Sequence, residues 1–202
     1  MSRVLIIGGG ASGMFAAIWA ARNGHSVSLY EKNEKAGKKL FITGKGRCNL
    51  TNDCDIDTLF SSVVSNSRFL YSSFYGFTNQ DVIDFFENIG VPVKTERGGR
   101  VFPASDHSSD VIKGLLREME RLKVKVHFHA EVKEAETRDG SFYRLVLSDG
   151  RKIEGDACIV ATGGLSYPST GSTGDGLRFG EKMGHTAVPC LPSLVPIEVK
   201  EP

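Results

Sequence analysis

The amino-terminal segment carries the feature that most restricts the fold, a glycine pattern between two apolar stretches. Gly8, Gly10 and Gly13 follow the apolar run 4–7, and an Ala-rich segment follows them. The apolar run predicts a short parallel strand buried on both faces, and the segment from Ser12 to Asn23 predicts a helix. A strand, a glycine turn and a helix in this order are typical of a dinucleotide-binding βαβ unit.

Each glycine has a physical role in such a turn. Gly8 permits the tight turn, Gly10 lets a diphosphate approach the backbone, and Gly13 lets the helix pack closely on the strand. The free N–H groups of the first helical turn, beginning at Ala11 and Ser12, would bind the phosphate oxygens. The helix dipole adds only about 0.3–2 kcal/mol, so hydrogen bonds and close contact must supply the rest of the binding free energy.

A second predicted strand, residues 27–31, ends in Glu31, eighteen positions after Gly13. A carboxylate there is placed to accept hydrogen bonds from the adenosine ribose. It also repels a 2′-phosphate, by about 4 kcal/mol at ~4 Å with an effective dielectric constant near 20. NADP is therefore disfavoured, although Lys32 and Lys35 would reduce the repulsion. FAD and NAD both carry the free ribose, so Glu31 does not separate them.

The order of the later segments favours FAD. A nicotinamide dehydrogenase would continue with further βαβ units, whereas here a helical insertion covers about residues 55–122 and a β-meander about residues 124–156. A last buried strand then ends in Thr162 and Gly163. This order resembles the glutathione-reductase-type flavoproteins, whose Thr-Gly turn lies close to the FAD. The expected fold class is therefore α/β, a Rossmann-like FAD-binding fold with a helical insertion and a β-meander.

Three motifs make the resemblance more specific. They are GKKLFITGKGRCNLTN at residues 37–52, GRVFP at residues 99–103, and TGGLSYP followed by TGSTGDG between residues 162 and 176. Together they resemble the signature of the bacterial BaiN/YhiN-type flavoproteins, usually described as NAD(P)/FAD-dependent oxidoreductases, over nearly the whole chain. The resemblance implies an enzyme whose FAD is reduced by NAD(P)H and passes electrons to an organic acceptor.

The resemblance also implies contacts outside the first βαβ unit. Gly46, Arg47 and Asn49 would line the FAD, with cationic side chains near the diphosphate, and the backbone at Val132 would contact the adenine. The whole predicted cofactor set is Gly8, Gly10, Ala11, Ser12, Gly13, Glu31, Lys32, Lys38, Gly46, Arg47, Asn49, Val132, Thr162 and Gly163.

Alternatives to these assignments stay open. The basic residues Lys38, Lys39, Lys45 and Arg47 also fit a solvated loop, and Val132 also fits an ordinary strand valine. Cys48 occupies the place of a redox-active cysteine in related reductases, but its neighbour Cys54 departs from the reductase spacing.

The sequence nominates no catalytic residue. Tyr167, Arg100 and Phe102 are candidates only for the lining of a substrate pocket. Hydride transfer at a flavin needs no acid or base from the protein by itself, so this lack is no objection.

Composition narrows the partners. Lys plus Arg is 25 against 24 for Asp plus Glu, a net charge of +1, which gives no sign of nucleic acid or an anionic membrane as partner. A small-molecule substrate is expected, and the oligomeric state is left open. The uncharged run 4–21 approaches the length of a membrane span, but its glycines and Ser12 argue against one. The four cysteines lack metal-ligand spacing, which predicts no metal site, and they fit a reducing cytoplasm.

Two domains are expected, an FAD-binding domain at residues 1–190 and the start of a truncated second domain at residues 191–202. On this view the isolated chain would retain FAD only partly. Two other functions remain open: a flavin-dependent enzyme that modifies RNA, and a non-catalytic, truncated FAD-binding fragment.

Overall fold

The computed structural model describes residues 1–192, so most of the segment expected to open a second domain lies outside the described residues. The strands are β1 (Arg3–Ile7), β2 (Ser26–Tyr30), β3 (Thr51–Asn52), β4 (Val93–Glu96), β5 (Arg100–Pro103), β6 (Lys125–His127), β7 (Val132–Arg138), β8 (Ser141–Leu147), β9 (Lys152–Glu154) and β10 (Ala157–Val160). The α-helices are α1 (Ala11–Arg22), α2 (Lys38–Ile42), α3 (Ile56–Ser61), α4 (Tyr71–Gly76), α5 (Asn79–Asn88), α6 (Ser108–Arg121) and α7 (Asp175–Lys182), and short 3₁₀ turns lie at Thr43–Gly46, Ser67–Leu70 and Pro168–Thr170.

A parallel four-stranded sheet forms the centre of the fold, in the order β10-β1-β2-β6. Strand β1 is buried on both faces because its side chains alternate between two cores. Val4 and Ile6 face one core, and Leu5 and Ile7 face the other. This double burial explains why the sequence there is a continuous apolar run rather than an alternating one.

Helices α1, α5 and α6 cover the first face of this sheet. Met14 and Ile18 of α1 pack with Phe85 of α5 and with Leu115 and Met119 of α6. This helical layer contains a buried charged side chain, that of Glu118. Glu118 is buried between two arginines, and it accepts hydrogen bonds from Arg22 at 2.6 Å and Arg121 at 2.7 Å.

The two arginines stabilise the ionised form of Glu118. Hydrogen bonds from Arg121 and then Arg22 outweigh the effect of burial and lower the pKa of the carboxyl from 4.5 to about 2. A lowered pKa contributes stability that is present above the ordinary pKa and lost as the pH falls from about 4.5 toward 2. We expect Glu118→Gln to lower the free energy of unfolding by about 2–3 kcal/mol near neutral pH and by much less near pH 3.

Urea unfolding at both pH values checks this expectation. Glu120→Gln is the matched control, since Glu120 is exposed on the same helix. A difference between wild type and Glu118→Gln that does not shrink in acid would contradict the role given to the ion pairs.

A β-meander, β7-β8-β9, covers the second face of the parallel sheet. Asp139 and Gly140 join β7 to β8 with positive φ angles of 53° and 76°, which are typical of an Asp-Gly hairpin turn. The meander begins at Val132, not near residue 124 as expected. Lys125–His127 instead pairs in parallel with Ser28–Tyr30, so this strand belongs to the central sheet.

The insertion expected to be helical also contains a three-stranded antiparallel sheet, in the order β3-β5-β4. Gly98 and Gly99 form its hairpin turn with φ angles of 79° and 72°. Thr78 and Asp81 form a reciprocal capping box at the start of α5.

The apolar run that approaches the length of a membrane span is divided between β1, a glycine turn and α1. Within residues 1–192 no helix has both the length and the hydropathy needed to cross a bilayer.

Candidate functional site

A cleft of about 320 Å³ opens at the carboxyl edge of the parallel strands. This edge is where α/β sheets of this kind bind their ligands. Most of the predicted cofactor residues line the cleft: Gly8, Gly10, Ala11, Ser12, Glu31, Lys32, Lys38, Val132, Thr162 and Gly163.

The glycine turn closes the bottom of this cleft. The N–H of Gly8 donates to the carbonyl oxygen of Tyr30 at 2.8 Å, and Gly8 has a φ of +104° that favours glycine. A Cβ on Gly8 would lie 2.5 Å from the carbonyl oxygen of Ala161. Gly13 faces away from the cleft, and a Cβ there would overlap the carbonyl oxygen of Gly8. The absence of a side chain at Gly13 thus lets α1 approach the sheet closely, as predicted, and Gly8 lets the turn pass close to Ala161.

The amino end of α1 points into the cleft without a side-chain cap. Gly10 precedes the helix in extended conformation, and no side chain of this residue is present to accept from the N–H groups of the first turn. A Cβ on Gly10 would meet no atom within 4 Å. The open space and the uncapped N–H groups together make a site for an anion.

Glu31 is buried beside this turn and its orientation is fixed by three N–H donors. Its Oε2 accepts from the N–H of Gly9 at 2.7 Å, and its Oε1 accepts from the backbone and side chain of Asn33 at 2.8 and 2.7 Å. A carboxylate oxygen has two lone pairs, so Oε2 retains one for a ligand hydroxyl. Gly9 and Asn33 were not predicted as site residues, because neither the glycine pattern nor the spacing to Glu31 marks them in the sequence.

Lys32 lies two residues after β2, and its side chain contacts the region where α7 begins. Its Nζ lies 2.8 Å from both the Oδ2 of Asp175 and the Oγ1 of Thr173. Burial raises the pKa of Asp175, but hydrogen bonds from Lys32 and Arg178 outweigh it, and the net result is a pKa below the ordinary value. Asp175 also lines the cleft and was not predicted as a site residue.

Two further features complete the cleft wall. Lys38 lines the cleft, and its Nζ lies 3.3 Å from both a carboxylate oxygen of Glu34 and the side-chain oxygen of Asn33. Lys39 lines the cleft as well, but it forms no ion pair within residues 1–192. The hydroxyl of Thr162 is buried and has no hydrogen-bond partner in that part of the chain. A hydroxyl of this kind has an unused capacity to hydrogen-bond a polar ligand group.

Comparison with known families decides where this chain belongs. The model of the family described as HI0933-like protein Rossmann domain matches residues 2–191. The chain belongs to this family. Its Rossmann-like fold and the resemblance to BaiN/YhiN-type proteins are thereby confirmed.

Curated relatives of the HI0933-like chain include two proteins with named activities. It is 36% identical to the 3-dehydro-bile acid delta(4,6)-reductase of Clostridium scindens, over all of this chain and 48% of that protein. It is 31% identical to the ribosomal RNA dihydrouridine synthase of Escherichia coli K12, over 98% of this chain and 48% of that protein. The chain therefore spans about half the length of these relatives.

A flavocytochrome c3 fumarate reductase is among the solved structures with the same fold. It superposes with a TM-score of 0.62 at 19% identity, over 91% of the HI0933-like chain and 40% of the reductase. At this identity the superposition shows a shared fold.

Other predicted residues of the HI0933-like chain lie away from the cleft wall. Arg47 forms ion pairs with Glu96 and Asp106, and its guanidinium lies 4.1 Å from the centre of the Phe102 ring. The hydrogen bonds that Arg47 donates, first to Glu96 and then to Asp106, raise the pKa of its guanidinium. The structure thus places Arg47 against the β4–β5 hairpin, and its contact with FAD stays a prediction.

Asn49 and Gly46 lie in the same loop and also do not line the cleft. With its amide oriented to suit its neighbours, Asn49 donates to the carbonyl oxygens of Val101 and Thr51 at 3.0 Å. Their roles at the FAD stay predictions.

The candidate pocket residues Tyr167, Arg100 and Phe102 do not line the cleft either. Tyr167 is 65% exposed, and Phe102 is buried beneath Arg47.

The cysteines give no support to a redox-active disulfide. Cys48 and Cys54 are both free thiols. Burial raises the pKa of Cys48, and it raises the pKa of Cys158 to about 12, so both thiols are held in their unreactive protonated form.

Proposed function

We propose that this chain is the FAD-binding part of a flavin-dependent reductase that acts on a carbon–carbon double bond conjugated to a carbonyl group. The observation that carries the first half of this proposal is the cleft itself. It combines a side-chain-free turn, the uncapped end of α1 and the buried carboxylate of Glu31 at the carboxyl edge of a parallel sheet.

The residues of the cleft fit the parts of FAD. The open space at Gly10 and the N–H groups of Ala11 and Ser12 suit the diphosphate, and the remaining lone pair on Glu31 Oε2 suits a ribose hydroxyl. Val132 begins β7 and lines the cleft, which supports its proposed contact with the adenine. The hydroxyl of Thr162 is buried and has no hydrogen-bond partner within residues 1–192, and a polar group of bound FAD would supply one.

When bound, FAD supplies the hydride-transfer chemistry, and the protein supplies binding, orientation and electrostatics. Glu31 and the end of α1 hold the adenosine and diphosphate. Lys32 and Asp175 connect opposite walls of the cleft at 2.8 Å and so restrict its width.

The substrate class is drawn from the names of the two relatives. One name describes a delta(4,6)-reductase that acts on a 3-dehydro-bile acid, and the other describes the synthesis of dihydrouridine in ribosomal RNA. Dihydrouridine is uridine with its ring double bond reduced beside a carbonyl group, so both names fit reduction of a conjugated double bond. Because the net charge of this chain is +1, we favour a small molecule over RNA as the acceptor.

The test begins with cofactor binding. The purified protein is mixed with FAD, the flavin absorption is recorded after gel filtration, and NADH or NADPH is then added without oxygen. We expect bound flavin that is bleached by one of the two donors. Recovery of protein without flavin, at FAD concentrations far above those in the cell, would overturn the proposal.

The acceptor is tested by reoxidation. The reduced protein is offered a conjugated steroid enone, a saturated steroid ketone as matched control, and unmodified ribosomal RNA. Return of the flavin absorption with the enone alone supports the proposal. Reoxidation by RNA alone would instead support the RNA-modifying alternative.

A further inference from the structure

Three carboxylates line the cleft that would bind the diphosphate, those of Glu31, Glu131 and Asp175. The diphosphate would add two negative charges to this cleft, and a cation without a carboxylate partner would balance them best. The lysines on the cleft wall are Lys32, Lys38 and Lys39.

Two of these lysines already have carboxylate partners. Lys32 lies 2.8 Å from Asp175, and Lys38 lies 3.3 Å from Glu34. Arg47, the other cation expected near the diphosphate, is paired with two carboxylates of the β4–β5 region and does not line the cleft.

Lys39 differs in both position and partners. Over residues 1–192 no carboxylate forms an ion pair with it, and it lies in α2, on the cleft wall beside Leu40 and Thr43. Its Nζ is 3.9 Å from the place that a Cβ on Gly163 would occupy. Gly163 follows Thr162, whose Cα would be 3.2 Å from a Cβ on Gly8. The ammonium group therefore lies near the turn that adjoins the diphosphate turn.

We propose that Lys39 is the cation that pairs with the diphosphate of the cofactor in this cleft. This inference rests on the proposed function, since it assigns a residue to the same site. A hydrogen bond to a charged group contributes about 1.5–3 kcal/mol, which corresponds to roughly a tenfold to hundredfold change in affinity.

The experiment measures the dissociation constants of FAD, ADP and adenosine for the full chain by calorimetry at several salt concentrations. Lys39→Met is expected to weaken FAD and ADP by roughly tenfold to hundredfold, to leave adenosine unchanged and to reduce the salt dependence of ADP binding. Lys39→Arg is expected to retain most of the affinity for ADP.

Lys35→Met is the matched control, because Lys35 is exposed in the loop before α2 and is outside the cleft wall. We expect it to bind ADP as wild type does. Lys38→Met is expected to lose less affinity than Lys39→Met, because Glu34 already balances that charge.

Three outcomes are distinguishable. If wild type binds neither ADP nor FAD, the proposed function fails. If wild type binds ADP and Lys39→Met binds it equally well, only the assignment of Lys39 fails. Equal losses in Lys38→Met and Lys39→Met would also overturn the assignment, because total charge rather than one ammonium group would then set the affinity.

Discussion

Gly10→Ala is expected to leave the chain folded and to weaken FAD binding by roughly a hundredfold or more. In this structure a Cβ on Gly10 meets no atom within 4 Å, and the backbone there is extended, with a φ of −80° that alanine adopts readily. The added methyl group projects into the space assigned to the diphosphate. Overlap of this kind costs about 1–3 kcal/mol, and loss of a charge-assisted hydrogen bond adds a similar amount.

Gly13→Ala is the contrasting variant, and its expected failure lies in folding. A Cβ on Gly13 would overlap the carbonyl oxygen of Gly8, so α1 would have to move away from β1. Met14, Ala17 and Ile18 of that helix are fully buried, so the movement would open the main core. We expect a cooperative loss of more than about 4 kcal/mol.

Urea unfolding followed by circular dichroism measures the loss of stability, and FAD titration measures the loss of cofactor affinity. Gly76→Ala serves as control, since a Cβ there also meets no atom within 4 Å and the residue is in α4, outside the cleft wall. Normal FAD affinity in a folded Gly10→Ala protein would falsify the placement of the diphosphate.

Local sequence patterns were sufficient for the first βαβ unit. A continuous apolar run followed by this glycine pattern is typical of a strand with two buried faces and a close-packed turn. The Thr78–Asp81 capping box is also a local pattern, and the structure has it at the start of α5. The glycine turn and the capping box depend on contacts between residues a few positions apart, so the sequence displays them directly.

The parts of the site that depend on distant contacts were not predictable in the same way. Lys32 is 143 positions from Asp175, and Arg47 is 49 and 59 positions from Glu96 and Asp106. A basic residue in a loop looks the same in the sequence whether it meets a phosphate or a carboxylate. The short strands β4 and β5 were missed for a related reason, because they become stable only through pairing with β3 and with each other.

Glu31→Gln is expected to weaken both the free protein and its binding of FAD. Both carboxylate oxygens accept from N–H groups, Oε2 from Gly9 and Oε1 from Asn33. A glutamine amide has one accepting oxygen, so its NH₂ group must face one of these donors and leave it unpaired. A buried unpaired donor costs about 1–3 kcal/mol, and the free energy of unfolding should fall by that amount without any cofactor.

The effect on binding follows from the same geometry. If the amide oxygen stays on the Asn33 side, its NH₂ group takes the place of Oε2, which otherwise accepts from a ribose hydroxyl; if it turns over, the Asn33 contacts are lost and the side chain shifts. We expect the affinity for FAD to fall about tenfold or more. Thermal unfolding and FAD titration measure the two effects separately.

Glu131→Gln provides the matched control for this substitution. Glu131 also lines the cleft, but it is exposed and its Oε2 accepts from the Ser148 hydroxyl, which can turn toward water instead. We expect little change in its stability or FAD affinity. If Glu31→Gln and Glu131→Gln lose FAD to the same degree, negative charge near the cleft is what matters. The specific acceptance of a ribose hydroxyl by Glu31 would then be wrong.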